Sequence, residues 1–288
     1  MSGRGSDLSW KERALDLVLY NRLFVVGLLI TAVFLLLALA APILTPQDPL
    51  EIDFDTKLEA PGIEHWFGTD VLGRDIFSRV IYATRTSLLT GIMVVTMALM
   101  IGLPIGLIAG YYGGRIDNFL MRIADVFLAF PPLLLPIAIT AALGPGLYNA
   151  LMALAISWFP WYARILRASV ISVKEELYVK SSQAMGMNPL RIMLRHALPN
   201  STTPVIVQAS MDFGYTILAA ASLSFIGMGA RPPTLEWGLM ISNSRAIFLE
   251  YWWTAFFPGA AIFLLVLGVN LLGDGIRDIL DPNYSDKR

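Results

Sequence analysis

Asp212 is the one ionisable side chain well inside an apolar stretch of this 288-residue chain. Counted about ten residues from Thr202 at ~1.5 Å each, it falls near the middle of a bilayer, where an unpaired charge costs at least ~2.5 kcal/mol. A carboxylate there must face protein or water. It either lines a passage and meets a substrate amine, or makes a protonated or hydrogen-bonded contact between helices. Other reactive groups are few. Cysteine is absent and the two histidines are His65 and His196, which removes thiol nucleophiles, disulfides and Cys-based metal sites and argues against a histidine metal cluster. No run of Gly, four residues and Gly-Lys-Ser/Thr occurs, so nucleotide phosphates find no cradle here.

A second concentration of chemistry-bearing residues is polar. Between the apolar stretches, Arg164, Arg167, Lys174, Lys180, Arg191 and Arg195 share one connection. Within it, residues Glu175 to Met185 suit a short helix that Gly186 stops. Asn188 followed by Pro189 is an N-cap with proline at the first helical position, which starts another. Leu190, Met193, Leu194 and Ala197 then fall at i, i+3, i+4 and i+7 and predict one apolar stripe, with Arg191 and Arg195 on another face. Pro199 is expected to end that helix. Such an element lies on a membrane surface or fits a groove on a partner protein; the pattern alone favours neither.

The elements that must hold these residues are set by composition. The chain is 56% hydrophobic and 15% charged, more apolar surface than a soluble core could bury, so it belongs in lipid. Its 21 Lys/Arg against 22 Asp/Glu leave no basic excess, and nucleic acid is not a partner. A span needs about 20 apolar residues. Six are expected: Phe24–Leu44, Thr86–Gly114, a third beginning near Arg115, a fourth split from it by Gly144-Pro145-Gly146, Ser201–Gly229 and Tyr251–Gly273. The fold class is therefore an all-α membrane protein with six transmembrane helices. Ala38-Leu39-Ala40 could serve a signal peptidase, but the apolar run is long and follows a stretch of more than twenty residues rich in polar groups, so the first span reads as an uncleaved anchor.

Basic residues fix the orientation. Arg4, Lys11, Arg13 and Arg22, then Arg115 and Arg122, the six of the fourth connection, and Arg277, Lys287 and Arg288 mark the cytoplasmic face, with both termini on it. The segment from Thr45 to Arg85, where eight acidic residues outnumber four basic ones, faces outward. Residues 1–84 are read as tail, anchor helix and outer segment, and residues 85–288 as a five-helix core with a loop at 174–200.

In the outer segment Thr69 can cap a helix from Asp70 to Tyr82. Asp70 with Arg74 and Asp75 with Arg79 would form i, i+4 pairs worth ~0.3–0.5 kcal/mol each. That helix, with Gly73 at its start, is read as a ledge setting the angle of the second span, or as a docking surface for an outer protein. Gly102, Gly106, Gly110 and Gly114 recur at four-residue steps and predict close helix packing in lipid.

Several of these runs carry a family resemblance. Tyr178-Val179-Lys180-Ser181-Ser182-Gln183-Ala184-Met185-Gly186, Asn188-Pro189-Leu190-Arg191 and Leu198-Pro199-Asn200 resemble the EAA loop of binding-protein-dependent ABC importer permeases. Lys180-Ser181-Ser182 stands where that family has Glu-Ala-Ala, and His196 stands for its isoleucine. His65-Trp66-Phe67-Gly68-Thr69-Asp70, Gly73-Arg74-Asp75, Ser78-Arg79, Arg85-Thr86-Ser87-Leu88, Met228-Gly229-Ala230, Pro232-Pro233, Glu236-Trp237-Gly238, Gly273-Asp274-Gly275, Arg277-Asp278 and Leu280-Asp281-Pro282 are similar to the DppC/OppC-like permeases of dipeptide, oligopeptide and nickel importers.

The resemblance implies a type I ABC importer permease fold in the inner membrane, with no enzymatic activity in this chain. It also implies a second permease, two ATPase subunits that carry ATP and Mg, and an extracytoplasmic substrate-binding protein, all working in membrane lipid. The cargo implied is a peptide, with glutathione or nickel as alternatives. The coupling contact to the ATPase is expected at Glu175, Ser181, Ala184, Gly186, Met187, Leu190, Arg191 and Met193. An acidic contact at position 180 passes to Glu175 or Glu176, or gives way to packing. An ion-coupled secondary carrier would need inverted repeats and more membrane carboxylates. A membrane enzyme would need clustered His, Asp or Glu, and the two histidines fall on opposite sides.

Overall fold

The computed structural model describes residues 21–280. Arg4, Lys11 and Arg13 of the amino-terminal tail, Asp281 and Pro282 of the closing motif, and Lys287 and Arg288 lie outside the described residues. Among those described, the architecture is helical and no strand longer than an isolated bridge occurs.

Asn21 caps α1 (Arg22–Leu44) by accepting the Phe24 N–H at 3.1 Å, and the helix continues unbroken through Ala38-Leu39-Ala40. It is held by close approach to α11 (Trp253–Leu280): a Cβ on Gly27 would come within 2.6 Å of Leu271 Cβ, and one on Gly268 within 2.6 Å of Ile30 Cγ2. Small residues let helices meet in lipid, where apolar side chains gain little by leaving one another's company for the acyl chains.

The second helix differs from expectation at its amino-terminal end. It is α2 (Ile76–Tyr112), 37 residues long, and runs without a break through the residue 84–85 division. No separate helix Asp70–Tyr82 forms. Asp75, not Thr69, is the N-cap, accepting the Ser78 N–H at 2.7 Å. Residues 69–75 fold instead into a turn closed by a Thr69–Asp75 bridge, because Asp70 is spent on that turn: its Oδ1 accepts Leu72 N–H at 2.8 Å and Arg74 N–H at 3.1 Å. The Asp70–Arg74 pair exists at 2.7 Å, in the turn and not on a helix. The Asp75–Arg79 pair does not form. Asp75 takes His65 Nδ1 at 3.1 Å, and Arg79 reaches the Pro49 carbonyl at 2.9 Å and lies 3.6 Å from Asp70. Gly73, at φ +74°, would drive a Cβ into the Asp53 carbonyl, so glycine is required there.

The segment expected as the third span is two helices. α3 (Gly114–Leu128) and α4 (Leu134–Leu143) are separated at Pro131-Pro132, since proline removes a donor and bars the preceding residue from helix. α5 (Leu147–Lys174) follows the Gly144–Gly146 break. By length and apolarity alone four helices can cross a membrane: α1, α2, α9 (Thr203–Ile226) and α11. The broken α3–α4 pair and the polar, tryptophan- and arginine-bearing α5 fall short of that test, and so the count of six is not reached by those criteria.

Two apolar cores result. One joins α2, α5 and α9 through Val94, Leu154, Tyr162 and Leu223. The other gathers α1, α2, α9, α10 (Trp237–Asn243) and α11 around Trp237, Ile76 and Leu265. Glu236 caps α10 with both oxygens, accepting Gly238 N–H at 2.9 Å and Leu239 N–H at 2.8 Å. Trp237 donates to the Val80 carbonyl at 3.0 Å, and Gly238 abuts the Ala221 backbone. The Glu-Trp-Gly run is thus a cap, an anchor and a close approach in three consecutive residues. Trp253 donates to the Thr69 carbonyl at 3.2 Å and fastens the turn at residues 69–75 to α11.

Candidate functional site

The polar connection after α5 folds as a helical hairpin. Glu175 and Glu176 are the junction, and α6 spans Leu177–Ala184, two residues shorter at its start and one at its end than expected. Gly186 turns the chain at φ +74°. The Asn188 side chain then accepts the Leu190 N–H at 2.9 Å, with Pro189 at the first helical position of α7 (Pro189–Ile192).

Pro199 does not end this helix. A π turn, Met193–Ala197, precedes it and leads into α8 (Leu198–Ser201). Pro199 would press its ring on the carbonyl four residues back, and the wider turn, in which Leu198 N–H reaches Met193 O, relieves that crowding. Residues five apart now align. Ile192, Met193 and Ala197 face the core, while Leu190 and Leu194 point away from it. The single stripe Leu190, Met193, Leu194, Ala197 is therefore divided between two faces. Met193, at 5% exposure, is turned inward.

The remaining residues singled out in the hairpin are at or near the surface: Glu175, Ser181, Ala184, Gly186, Leu190 and Arg191 are exposed and Met187 is half-buried. Beside them stand Leu177 (82% exposed), Met185 (75%) and Leu194, which helical periodicity had no reason to place outside. Lys180 pairs with Glu175 at 2.8 Å across the exposed first turn. That pair holds the Glu175 carboxyl below its ordinary value, through the hydrogen bond first and the charge second. The hinge side of the hairpin is fixed by Val179, fully buried, with Ile192 and Ala197.

Asp212 lies on α9 and borders a cavity of about 400 Å³. The walls are the end of α3 and the proline break (Phe127, Phe130, Pro131), α5 (Ser157, Trp158, Trp161) and α9 (Gln208, Tyr215). Gln208 Nε2 donates to Asp212 Oδ1 at 2.9 Å. Asp212 Oδ2 is buried with the Tyr162 hydroxyl as its neighbour, and neither makes a closer hydrogen bond.

Gly102, Gly106 and Gly110 line the side of α2 that meets α5, where added Cβ atoms would meet Phe159 O at 2.7 Å, the Ala163 carbonyl and Val170 Cβ at 2.8 Å respectively. Gly114 has nothing within 4 Å and begins α3 at φ +55°; it is outside that row. Sequence reading missed the ion pairs that fasten α5 to α3. Arg167 grips Asp117, and Arg164 meets Asp125. Partners 50 and 39 residues apart give no local signal.

Residues 102–286 match the family described as binding-protein-dependent transport system inner membrane component. The chain belongs to that family. This permease also matches, over residues 13–61, the N-terminal transmembrane domain of oligopeptide transport permease C. It is 50% identical over 273 residues to the dipeptide transport system permease protein DppC of Alkalihalophilus pseudofirmus, covering 95% of this chain and 90% of that protein. It is 43% identical to the probable D,D-dipeptide transport system permease protein DdpC of Escherichia coli, covering 99% and 93%. It is 47% identical to the glutathione transport system permease protein GsiD of Pectobacterium atrosepticum, covering 87% and 84%. A chain of the inward-facing MetNI methionine ABC transporter shares its fold at a TM-score of 0.57 and 18% identity, over 70% of this permease and 96% of that chain.

Proposed function

We propose that this permease is one of the two membrane subunits of an ATP-driven importer that carries di- or oligopeptides across the cytoplasmic membrane. The observation that carries the reading is the hairpin of residues 174–200. One side is locked into the core by Val179, Ile192, Met193 and Ala197; the other presents Leu177, Met185, Leu190 and Leu194 uncovered. A rigid apolar helical tip of this kind suits a groove on another protein.

In this reading two ATPase subunits bind ATP and Mg and grip the hairpin at Glu175, Ser181, Ala184, Gly186, Met187, Leu190 and Arg191. Their closure moves the hairpin, and α2 and α5, packed through Gly102, Gly106 and Gly110, swing as one body. The passage then faces outward, takes peptide from an extracytoplasmic binding protein, and turns inward after hydrolysis. The outer turn Thr69, Asp70, Gly73, Arg74 and Asp75 sets the entry of α2 on the outer side. Both termini are cytoplasmic in this arrangement, residues 1–84 anchor the chain, and residues 85–288 transport. A second permease closes the passage. Relatives whose names carry dipeptide transport support the cargo; the glutathione permease at 47% identity favours glutathione, itself a peptide, as the second reading.

Reconstitution of the four-subunit complex with its binding protein in proteoliposomes tests this. ATP-dependent accumulation of labelled dipeptide is expected; accumulation that ignores ATP but follows an ion gradient would replace it with a secondary carrier.

A further inference from the structure

We infer that the cavity bordered by Asp212 is an ammonium-recognition station, so that the permease itself selects cargo with a free amino group, a second filter after the binding protein. The inference rests on the peptide-importer reading.

Three observations point to a cation. First, Asp212 meets no basic side chain: none lines the cavity, and its hydrogen-bonding neighbours Gln208 and Tyr162 are neutral. A carboxylate at this depth without a countercharge is costly, and a passing cation would supply the missing charge. Second, the group beside the buried Oδ2 is the Tyr162 hydroxyl, a neutral donor that supplies no positive charge. A primary ammonium in the cavity, with three donors, would meet the carboxylate from the side on which Asp212 forms part of the wall. Third, the rest of the wall is aromatic. Trp158 and Tyr215 lie with ring centroids 5.1 Å apart, with Trp161, Phe127 and Phe130 around them. Aromatic faces attract organic cations.

The donor set also separates an amine from a metal ion. Among the described residues no group of three or more His, Asp or Glu is gathered anywhere. One carboxylate in an aromatic box offers a hard divalent ion too few oxygens, whereas it suits an ammonium attached to an apolar body. The cavity of about 400 Å³ lies within the range of small-ligand sites. Its rim residues Trp161, Phe130 and Tyr215 are exposed in the isolated chain, so the cavity opens on a surface that a second permease can cover.

The test compares two dialanine cargoes, one with a free amino terminus and one N-acetylated, in the reconstituted complex with the binding protein saturated by each. The readout is the ratio of their uptake rates. In the unaltered complex the free amine is preferred. Asp212→Asn is expected to lower the ratio about ten-fold or more, and Asp212→Glu to restore part of it. Trp161→Ala, at a half-exposed rim position, is expected to lower the ratio several-fold and decides the matter if Asp212→Asn fails to assemble. A ratio unchanged in the variants that assemble, or loss of both cargoes in equal measure, overturns the ammonium station while leaving the importer reading standing. Uptake of neither cargo by the unaltered complex overturns the importer reading and this inference with it.

Discussion

Arg167 on α5 holds Asp117 on α3 through two parallel hydrogen bonds, Nε to Oδ1 at 2.5 Å and Nη2 to Oδ2 at 2.6 Å. Bidentate guanidinium–carboxylate geometry is the strong form of the ion pair, and the Asp117 side chain is only 11% exposed. Arg167→Ala leaves that carboxylate without its partner and is expected to cost about 1.5–3 kcal/mol. Arg164→Ala, whose pair with Asp125 is half-exposed on both sides, is expected to cost less than about 1 kcal/mol. Unfolding of the purified permease in detergent measures both, and equal losses would contradict the assignment of the Arg167 pair as the structural one.

Gly106 and Gly259 form a matched pair of substitutions. A Cβ at Gly106 would strike the Ala163 carbonyl, backbone that cannot give way, whereas Gly259 in α11 has open space around it. Gly106→Ala is expected to destabilise by about 1–3 kcal/mol, and Gly259→Ala to be neutral or stabilising by up to about 1 kcal/mol. Thermal unfolding of the two variants side by side checks the direction. Gly106→Ala as stable as the parent would mean that α2 and α5 do not pack closely there.

Much of this arrangement is legible in the residues themselves. Apolar length sets α1, α2, α9 and α11, the Gly144–Gly146 break divides α4 from α5, and Asn188-Pro189 starts α7, because each rests on short-range chemistry. The errors come where long-range contacts decide. Thr69 is a good helix cap by type, but its hydroxyl accepts the Glu59 N–H at 2.8 Å and donates to the Thr56 carbonyl, so Asp75 caps instead. The stripe Leu190, Met193, Leu194 and Ala197 assumes an unbroken α period, and the π turn ahead of Pro199 divides it between two faces. Asp212 stands out in sequence through its charge; Tyr162, Trp158 and Gln208 around it look like ordinary helix residues until three elements converge.

Gly73 tests the turn at residues 69–75. With φ +74° and the Asp53 carbonyl where a Cβ would sit, Gly73→Ala is expected to unseat residues 53–75 while leaving the helices in place. Hydrogen exchange resolved by peptide should rise in that segment and not in α9. Unchanged protection would show that the turn tolerates a side chain there.

Lys180 and Glu175 give the hairpin a measurable pH response. The folded carboxyl titrates below its unfolded value, so the contact is present at and above ordinary carboxylate pKa values and is lost as pH falls through the lowered one. Lys180→Ala should return the Glu175 titration, followed by carboxyl NMR, to the usual carboxylate range. A midpoint that does not move on this substitution would remove the pair from the description of the hairpin.

The central claim is that the exposed apolar tip of the hairpin is gripped by an ATPase on the cytoplasmic side. The chain has no cysteine, so Met185→Cys or Leu190→Cys places a single thiol in this subunit. In the assembled complex that thiol is predicted to crosslink to an ATPase carrying a cysteine in its groove, with a yield that changes when ATP binds. It should also react with impermeant maleimide only in inverted vesicles. Labelling from the outside of intact cells, or no crosslink in any nucleotide state, would contradict the account.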